Sequence, residues 1–355
     1  MAWMLYGVTG YTGKLLLDEA IQRGHRPLIA GRSEEKLKPL AEAYNVEYVA
    51  FGVDAAAERL RGLGVDLVLN AAGPYLYTGA PMMDACLHAG AHYLDITGEF
   101  PVLEAAFARD AAARERGTLI LSGVGFDVVP SDCLARYVAD KLPTATHLDI
   151  VVDVLGAGGL DSGASAGTLK SMIEMSPQGG RTRRNGTLVP VDFGAEARRF
   201  RMTDGQDVLT MAIPWGDIVT AYHSTGIPNI TTYMRLPPFF IAYAQRFGFL
   251  LIQSGRSAVI RSTMKKLIDR FVPGPSEQRR RTARSYVYAR ATDASGNEAE
   301  AWLDTLEAYA LTAKTGILAV ERVLEGGYRG AQSPAQAFGA DFILQLESTR
   351  RYDTL

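Results

Sequence analysis

The sequence is poor in cysteine, in histidine and in net charge. Among 355 residues there are two cysteines, five histidines, and 37 basic residues against 39 acidic ones, which leaves a net charge of -2. Two cysteines are too few for a disulfide framework or a cysteine-rich metal site, and the histidines have no ligand-like spacing, so no metal site is predicted. The near-neutral charge gives no global reason to expect nucleic-acid binding.

A secretion signal and a long apolar run are also missing. The N-terminus has neither the basic region nor the apolar stretch of a signal peptide. No run approaches the roughly 20 apolar residues that a membrane-spanning helix needs. Hydrophobic residues make up 47% of the chain and charged residues 21%, a profile typical of a globular protein with a large core. We expect a cytoplasmic protein, with peripheral membrane association as the alternative.

Short apolar runs alternate with helical patterns over roughly the first 140 residues. This alternation predicts βαβ units and a parallel sheet, and strands that are apolar throughout indicate a sheet covered on both faces. We therefore predict an α/β fold, in which a doubly wound Rossmann sheet carries an inserted mixed-sheet α/β domain.

The pattern changes after about residue 145. A glycine-rich stretch at 156–159 is followed by strand candidates at 208–214 and 217–225, and by a hairpin over 285–303. We predict a Rossmann domain over 1–144, a mixed α/β substrate or dimerisation domain over 145–304, and a C-terminal helix and tail over 305–355 that return to the Rossmann domain. A homodimer is one expected assembly.

The strongest chemical signal is the glycine-rich segment Gly7-Val-Thr-Gly-Tyr-Thr-Gly13, which lies between a predicted strand and a predicted helix. Such a turn lets the backbone approach a pyrophosphate and directs the helix N-terminal amides at its charge. The spacing is one residue longer than the usual dinucleotide fingerprint, so the strand–turn–helix context carries the prediction. The predicted contacts are Gly7, Thr9, Gly10, Tyr11, Thr12 and Gly13.

The end of the second strand bears on the choice of cofactor. NAD-binding enzymes usually carry an acidic residue about 20 positions after the glycine-rich turn. This chain instead has Arg32 and Ser33 there, with Lys36 one turn later. An arginine fork and a hydroxyl suit a phosphate, which favours NADP(H). Asp54 after the third strand is expected near the adenine, or as a helix cap. The end of the fourth strand is expected to leave room for the ribose and nicotinamide with Asn70, Ala71, Ala72 and Gly73.

Several segments together resemble the saccharopine dehydrogenase-like (saccharopine reductase-like) oxidoreductases. They are residues 7–13, 30–33, 70–75, 86–99 and 125–132, so the resemblance covers roughly the first 140 residues. That family includes lysine-pathway saccharopine enzymes, lipid-associated members and the trans-acting enoyl reductases. The resemblance implies a Rossmann domain with an inserted α/β domain and NAD(P)-dependent redox chemistry, and it leaves the substrate open.

Hydride transfer needs a positioned proton donor or acceptor. Tyr75 is the first candidate because it follows the fourth strand, and Asp127 is the second because it follows the sixth. Other groups near strand ends could serve, or could bond only to loop amides; they are Tyr77, Asp95, Glu99 and Asp132. We expect an NADP(H)-dependent oxidoreductase that acts on a C=C or C=N bond of an enoyl or acyl thioester or of an amino-acid derivative.

Two alternatives stay open at this point. One is a non-catalytic NADP-binding protein associated with a lipid surface or a protein partner. The other is a reductase similar to the short-chain dehydrogenases, since Tyr137 and Lys141 stand four apart on one helix face, as that family's catalytic pair does.

One apolar and one basic segment follow each other in the second half. Residues 236–252 are mostly apolar and predict a buried core helix, a dimer contact or a wall for an acyl chain. Residues 256–284 hold nine basic residues and two acidic ones. Three interpretations fit the basic segment 256–284: a surface for an acyl-carrier protein or coenzyme A, an anionic membrane surface, or an ordinary solvated helix face. In the first two, the surface would extend over 236–284.

Overall fold

A computed structural model describes residues 2–154, 164–203, 205–272 and 274–355. The chain divides into two units, each assembled from two stretches. The first unit comprises 1–127 and 309–337, and the second comprises 128–308 and 338–355.

The elements follow in chain order. The strands and helices up to residue 121 are β1 Trp3–Tyr6, α1 Tyr11–Gln22, β2 Leu28–Gly31, α2 Glu34–Tyr44, β3 Tyr48–Ala50, α3 Ala56–Leu63, β4 Leu67–Asn70, α4 Tyr75–Ala89, β5 His92–Asp95, α5 Phe100–Phe107, α6 Asp110–Glu115 and β6 Leu119–Leu121. Those up to residue 256 are α7 Val129–Lys141, β7 Ala145–Asp153, α8 Ala166–Met175, β8 Gly180–Arg184, β9 Thr187–Val191, β10 Ala197–Arg201, β11 Asp207–Ala212, α9 Asp217–Thr225, β12 Asn229–Arg235 and α10 Pro238–Arg256. The remainder are α11 Ala258–Phe271, α12 Glu277–Thr282, β13 Arg284–Asp293, β14 Glu298–Leu306, α13 Ala308–Leu324, β15 Gly330–Gln332, α14 Pro334–Phe338 and β16 Arg350–Tyr352.

The first unit is built on a parallel sheet. Its described strands run in the order β15-β6-β5-β4-β1-β2-β3, and the pairings are parallel throughout. The order 3-2-1-4-5-6 within it is that of a doubly wound dinucleotide-binding sheet, with the ligand crevice where the order reverses, between β1 and β4. Every residue of β1 and β4 is buried, as expected for a parallel sheet covered on both faces.

The second unit is built on a mixed sheet. Its main path is β10-β11-β12-β7-β13-β14-β16, with β8 and β9 attached beside β12. The pair β7–β12 is parallel, and its neighbours in the path are antiparallel. The predicted hairpin is the antiparallel pair β13–β14. The predicted fold class, a Rossmann sheet with an inserted mixed-sheet α/β domain, is confirmed.

The division of the chain differs from the predicted boundaries at 144 and 304. Helix α7 lies in the second unit, where Ser131 donates a hydrogen bond to Asp217 of α9 at 2.8 Å. The C-terminal segment is shared: most of α13 and all of β15 lie in the first unit, whereas β16 pairs with β14 in the second. The periodicity of the sequence predicts helices and strands, but it does not show to which of the two units a helix or a short strand belongs.

Two predictions for the second unit need correction. Residues 217–225 form the helix α9, because burial on several sides overrides the β preference of its branched residues. The apolar segment 236–252 is not a buried core helix, since much of α10 is exposed. The glycine-rich stretch at 156–159 lies outside the described residues. Among the described helices, none combines the length and apolarity needed to cross a membrane.

Candidate active site

The turn after β1 is built so closely that only glycine fits at two of its positions. Gly7 has a φ of +88°, and a Cβ atom there would lie 2.7 Å from the backbone nitrogen of Ala72. A Cβ atom on Gly13 would lie 2.4 Å from the carbonyl oxygen of Gly7. These two glycines therefore allow β1, the turn and α1 to pack directly together, as a dinucleotide-binding turn requires.

The N-terminus of α1 suits an anion. Gly10 is its N-cap residue and no side chain caps this end. Amides in the first turn of a helix have no acceptor within the helix, and the helix dipole adds positive potential there. Gly10 is exposed, while Thr9, Tyr11 and Thr12 are half-buried around it. These predicted contacts thus surround a helix end that can hold a phosphate.

Three polar groups lie beyond the end of β2. The side chains of Arg32 and Lys36 are exposed, and Ser33 is the N-cap residue of α2 without a capping bond from its hydroxyl. Burial raises the pKa of Tyr6, the charge of Arg32 lowers it, and the charge of Asp54 raises it further, which places both charges near the Tyr6 hydroxyl. Asp54 makes no helix-capping bond.

The turn after β4 is held by its own polar residue. The Asn70 side chain accepts a hydrogen bond from the amide of Ala72 at 3.0 Å and donates one to the Tyr93 hydroxyl at 3.3 Å. The amide of Ala71 donates to the carbonyl of Tyr6 in the neighbouring strand at 2.8 Å. Asn70 is fully buried, so it shapes the 70–73 turn rather than presenting a free polar group.

Two of the candidate carboxylates serve the backbone. Asp95 is buried and accepts hydrogen bonds from Thr97, Ser122 and Gly123, so it ties the loops after β5 and β6 together. Glu99 accepts from the first two amides of α4, those of Tyr75 at 3.0 Å and Leu76 at 2.7 Å. Glu99 thus bonds to backbone amides, as one of the two roles considered for it expects, although these amides begin a helix and do not lie in a loop.

Tyr75 begins α4 and is 8% exposed, within the core of the first unit. Burial raises the pKa of its phenol well above 10, and the nearby carboxylates Asp95, Glu99 and Asp127 raise it further. The hydroxyl is therefore neutral at physiological pH and releases its proton reluctantly. This weakens Tyr75 as the first candidate for proton donor, because catalysis favours a pKa near the working pH.

Asp127, unlike Tyr75, has a pKa close to neutral pH. It follows β6, its side chain is half-buried, and burial together with the Glu99 carboxylate raises its pKa to about 7. A Cβ atom on Gly98 would lie 2.6 Å from the Cβ of Asp127, so glycine at this position leaves space for the carboxyl group. A carboxyl with a pKa near neutrality can both give and take a proton.

The C-terminal helix α13 holds the loop that carries Asp127, and sequence reasoning missed this. Thr312 accepts a hydrogen bond from the amide of Phe126 at 3.0 Å, and Thr315 donates one to the carbonyl of Val124 at 2.8 Å. A Cβ atom on Gly125 would lie 2.9 Å from the Thr312 methyl. The threonines lie about 190 residues from the loop, and no local pattern indicates that pairing.

The short-chain-dehydrogenase-like pair has another role. The Tyr137 hydroxyl donates to Asp353 at 2.9 Å, and the Lys141 ammonium forms an ion pair with the same carboxylate at 2.7 Å. Arg351 stacks over the Tyr137 ring at 3.5 Å. The spacing of Tyr137 and Lys141 is thus explained by attachment of the C-terminal segment to α7.

In the part of the chain that the structure describes, no cluster of three His, Cys, Asp or Glu side chains could hold a metal ion.

The comparisons with known proteins agree with this architecture. Residues 3–121 match the family model described as the saccharopine dehydrogenase NADP binding domain. A trans-acting enoyl reductase of Mycobacterium tuberculosis is 26% identical over 404 aligned residues, covering 97% of this chain and 94% of the relative. A trans-acting enoyl reductase of Mycobacterium leprae is 28% identical over 193 residues, covering 49% of this chain and 45% of the relative.

Solved structures show the same fold. A saccharopine dehydrogenase (L-Glu forming) of Saccharomyces cerevisiae superposes with a TM-score of 0.64 at 13% identity, covering all of both chains. An amine dehydrogenase of Mycobacterium smegmatis superposes with a TM-score of 0.50 at 14% identity, covering 96% of this chain and 95% of that one. The predicted resemblance to the saccharopine dehydrogenase-like proteins is confirmed.

Proposed function

We propose that this chain, an NAD(P)-binding oxidoreductase of the saccharopine dehydrogenase type, uses NADPH to reduce the C=C bond of an α,β-unsaturated acyl thioester, with Asp127 as the proton donor. The observation that carries the proposal is the Asp127 carboxyl, which lies at the strand-end edge of the dinucleotide-binding sheet with a pKa of about 7. Because β1, β4, β5 and β6 are parallel, the loops after them share one edge of the sheet.

The described residues fit a dinucleotide phosphate. Gly7 and Gly13 let β1, the turn and α1 pack closely, and the N-terminus of α1, which no side chain caps, can bind a pyrophosphate. Arg32, the uncommitted Ser33 hydroxyl and Lys36 supply positive charge and donors for a 2′-phosphate, where an NAD-binding protein would present an acidic side chain. This arrangement supports NADPH over NADH.

NADPH, when bound, supplies the hydride. The chain must then hold the acyl group and deliver a proton to the carbon next to the thioester carbonyl, since reduction of C=C adds one hydride and one proton. Because burial and Glu99 raise its pKa to about 7, Asp127 can hold a proton near neutral pH. Glu99 raises that pKa by its charge, and it also holds the start of α4 beside the site.

The substrate class rests on the relatives. The trans-acting enoyl reductase of Mycobacterium tuberculosis resembles this chain over 97% of its length, which supports an enoyl thioester over a C=N substrate. The saccharopine and amine dehydrogenases share the fold at identities that carry no substrate information.

Cofactor choice is tested by Arg32→Ala. Loss of a charge-assisted bond to phosphate costs about 1.5–3 kcal/mol, so we expect the Kd for NADPH to rise roughly 10- to 100-fold and the Kd for NADH to stay nearly unchanged. Lys38→Ala is the matched control, because Lys38 is an exposed cation on the same helix α2. Equal losses for both cofactors in Arg32→Ala would refute the phosphate assignment.

The reaction is tested by NADPH oxidation in the presence of a 2-enoyl coenzyme A thioester or, separately, of a cyclic imine. We expect turnover with the thioester, and we expect Asp127→Asn to lower it while leaving NADPH binding intact. Turnover with the imine alone would reassign the substrate class. Tight NADPH binding without turnover of either compound would favour the non-catalytic alternative.

A further inference from the structure

Helix α10 has two apolar faces, although only one of them packs against the protein. The packed face is a narrow seam of small or aliphatic residues: Ile241, Ala244 and Gly248. On the opposite side of the helix lies a stripe of large exposed residues with helical spacing: Phe239, Tyr243, Phe247 and Leu250. Their exposed fractions range from 39% to 66%, and the Tyr243 and Phe247 rings lie 5.2 Å apart.

Helix α11 repeats this arrangement after a single linking residue. One face turns to α8, where Glu174 forms ion pairs with Arg261 and Lys265. Beside that face runs a second exposed apolar stripe with spacing of three and four residues: Ile260, Met264, Leu267 and Phe271. Globular proteins rarely expose contiguous apolar patches of this kind unless the patch is covered in use. We call the two stripes together the apolar helix pair.

The charge around the apolar helix pair is mainly positive. Helix α10 contains no acidic residue, and its cations are Arg246 and Arg256. Lys266 and Arg270 stand one turn apart on α11, on a face next to the stripe, and both are exposed. Three consecutive arginines follow at 279–281 in α12. Residues 256–284 carry nine basic side chains against two acidic ones.

We propose that the apolar helix pair docks on an anionic lipid bilayer. Exposed aromatic and aliphatic side chains on one side of a helix, bordered by cations, match the boundary between acyl chains and acidic headgroups. A second copy of the chain would meet the same basic segment with like charge, which opposes association. An acidic carrier protein would use the cations and leave eight large apolar side chains without a role. Because no described helix can cross a membrane, α10 and α11 lie along the surface.

The test is flotation of the full-length protein with vesicles, without cofactor. We compare pure phosphatidylcholine vesicles with vesicles in which about a third of the lipid is phosphatidylglycerol, a composition that raises the negative surface potential. The apolar variant is Tyr243→Ser with Phe247→Ser, and the charge variant is Lys266→Glu with Arg270→Glu. All four side chains are exposed, so the fold is expected to survive. The matched charge control is Arg59→Glu with Arg61→Glu on the exposed side of α3, in the first unit.

We expect binding to the anionic vesicles and little to the neutral ones. Each double variant is expected to lower the partition coefficient at least about tenfold, and the α3 control is expected to leave it nearly unchanged. The proposal is overturned by equal binding to neutral vesicles, by equal losses in variant and control, or by no vesicle binding at all. If the protein binds no vesicles, its oligomeric state is measured by light scattering. A wild-type dimer that becomes a monomer in the double variant Tyr243→Ser with Phe247→Ser would assign the surface to a second copy of the chain. If the protein instead binds an acidic acyl-carrier protein in a salt-sensitive way, and the apolar variant still binds it, the cations would be assigned to that partner. None of these readouts depends on NADPH or on turnover, so the proposed function and this surface stand or fall separately.

Discussion

Replacing Asp127 by asparagine should stabilise the first unit at alkaline pH while removing the proposed proton donor. The carboxyl has a pKa of about 7 in the folded protein, against an ordinary pKa of 3.8, because burial and Glu99 disfavour its charged form. As pH rises from about 4 to about 7, the unfolded chain releases this proton while the folded chain retains it. Stability is therefore fully present below the unfolded pKa and is lost as pH rises through the folded pKa. Asparagine has nearly the same shape and carries no charge at any pH.

The size of the effect follows from the two pKa values. A shift of one pKa unit corresponds to about 1.4 kcal/mol, so the whole shift of roughly three units bounds the loss at about 4 kcal/mol. Part of that loss has already occurred by about pH 5, because the unfolded carboxyl is mostly ionised there. The expected gain of Asp127→Asn over the wild type between about pH 5 and about pH 8 is then at most roughly 2.5 kcal/mol. Residual solvent contact of the carboxyl lowers this value.

The two cysteines allow each unit to be followed separately. Cys86 is buried in the first unit and Cys133 in the second. The protein is titrated with urea at about pH 5 and at about pH 8. At each urea concentration, exposed thiols are pulse-labelled with a disulfide reagent and identified by mass spectrometry. The labelling of each cysteine then gives the free energy of unfolding of its unit. We expect the variant to shift the Cys86 transition to higher urea by clearly more at alkaline pH than at about pH 5, with the Cys133 transition unchanged. Asp54→Asn removes the same charge at an exposed position and is the control. An unchanged Cys86 midpoint at alkaline pH would refute the assigned pKa of Asp127.

Two further predictions concern the same unit. Gly13→Ala would place a Cβ atom 2.4 Å from a backbone oxygen of the preceding turn, so we expect loss of dinucleotide binding by calorimetry and a lower midpoint of unfolding. Gly62→Ala in α3 is its matched control, since nothing lies within 4 Å of its Cβ position and alanine favours a helix by up to about 1 kcal/mol. Glu99→Gln removes the charge that raises the pKa of Asp127, so we expect the alkaline limb of the pH–rate profile to move to lower pH.

Each of these has an outcome that contradicts it. Normal cofactor affinity in Gly13→Ala would mean that the turn can relax by about an ångström, against the close packing described above. An alkaline limb that stays in place in Glu99→Gln would mean that another group controls the rate. The glutamine amide oxygen still accepts a hydrogen bond at the start of α4, so a change confined to the maximal rate, without a pH shift, would indicate lost positioning instead.

The sequence alone was sufficient for the first sheet and its glycine turn. Strand and helix periods are local properties, and the Gly7–Gly13 spacing describes a turn formed by residues that are close along the chain. The choice of Arg32 and Ser33 over an acidic residue is likewise a property of one short segment. These predictions depend on no contact between distant residues, which is why local patterns suffice for them.

Only the tertiary structure shows what surrounds the candidate site residues and which apolar residues are exposed on the surface. Burial and the charge of Glu99 raise the pKa of Asp127. Thr312, nearly 190 residues away along the chain, holds the loop that carries Asp127. The local sequence pattern indicates neither effect. The chain position of Tyr75 favoured it as proton donor, and burial among three carboxylates changed that ranking. The helix α10 has an apolar pattern that is equally compatible with a core helix. Only packing shows that one seam is covered while the opposite aromatic stripe stays exposed, because a sequence specifies which side chains share a helix face and not what lies against that face.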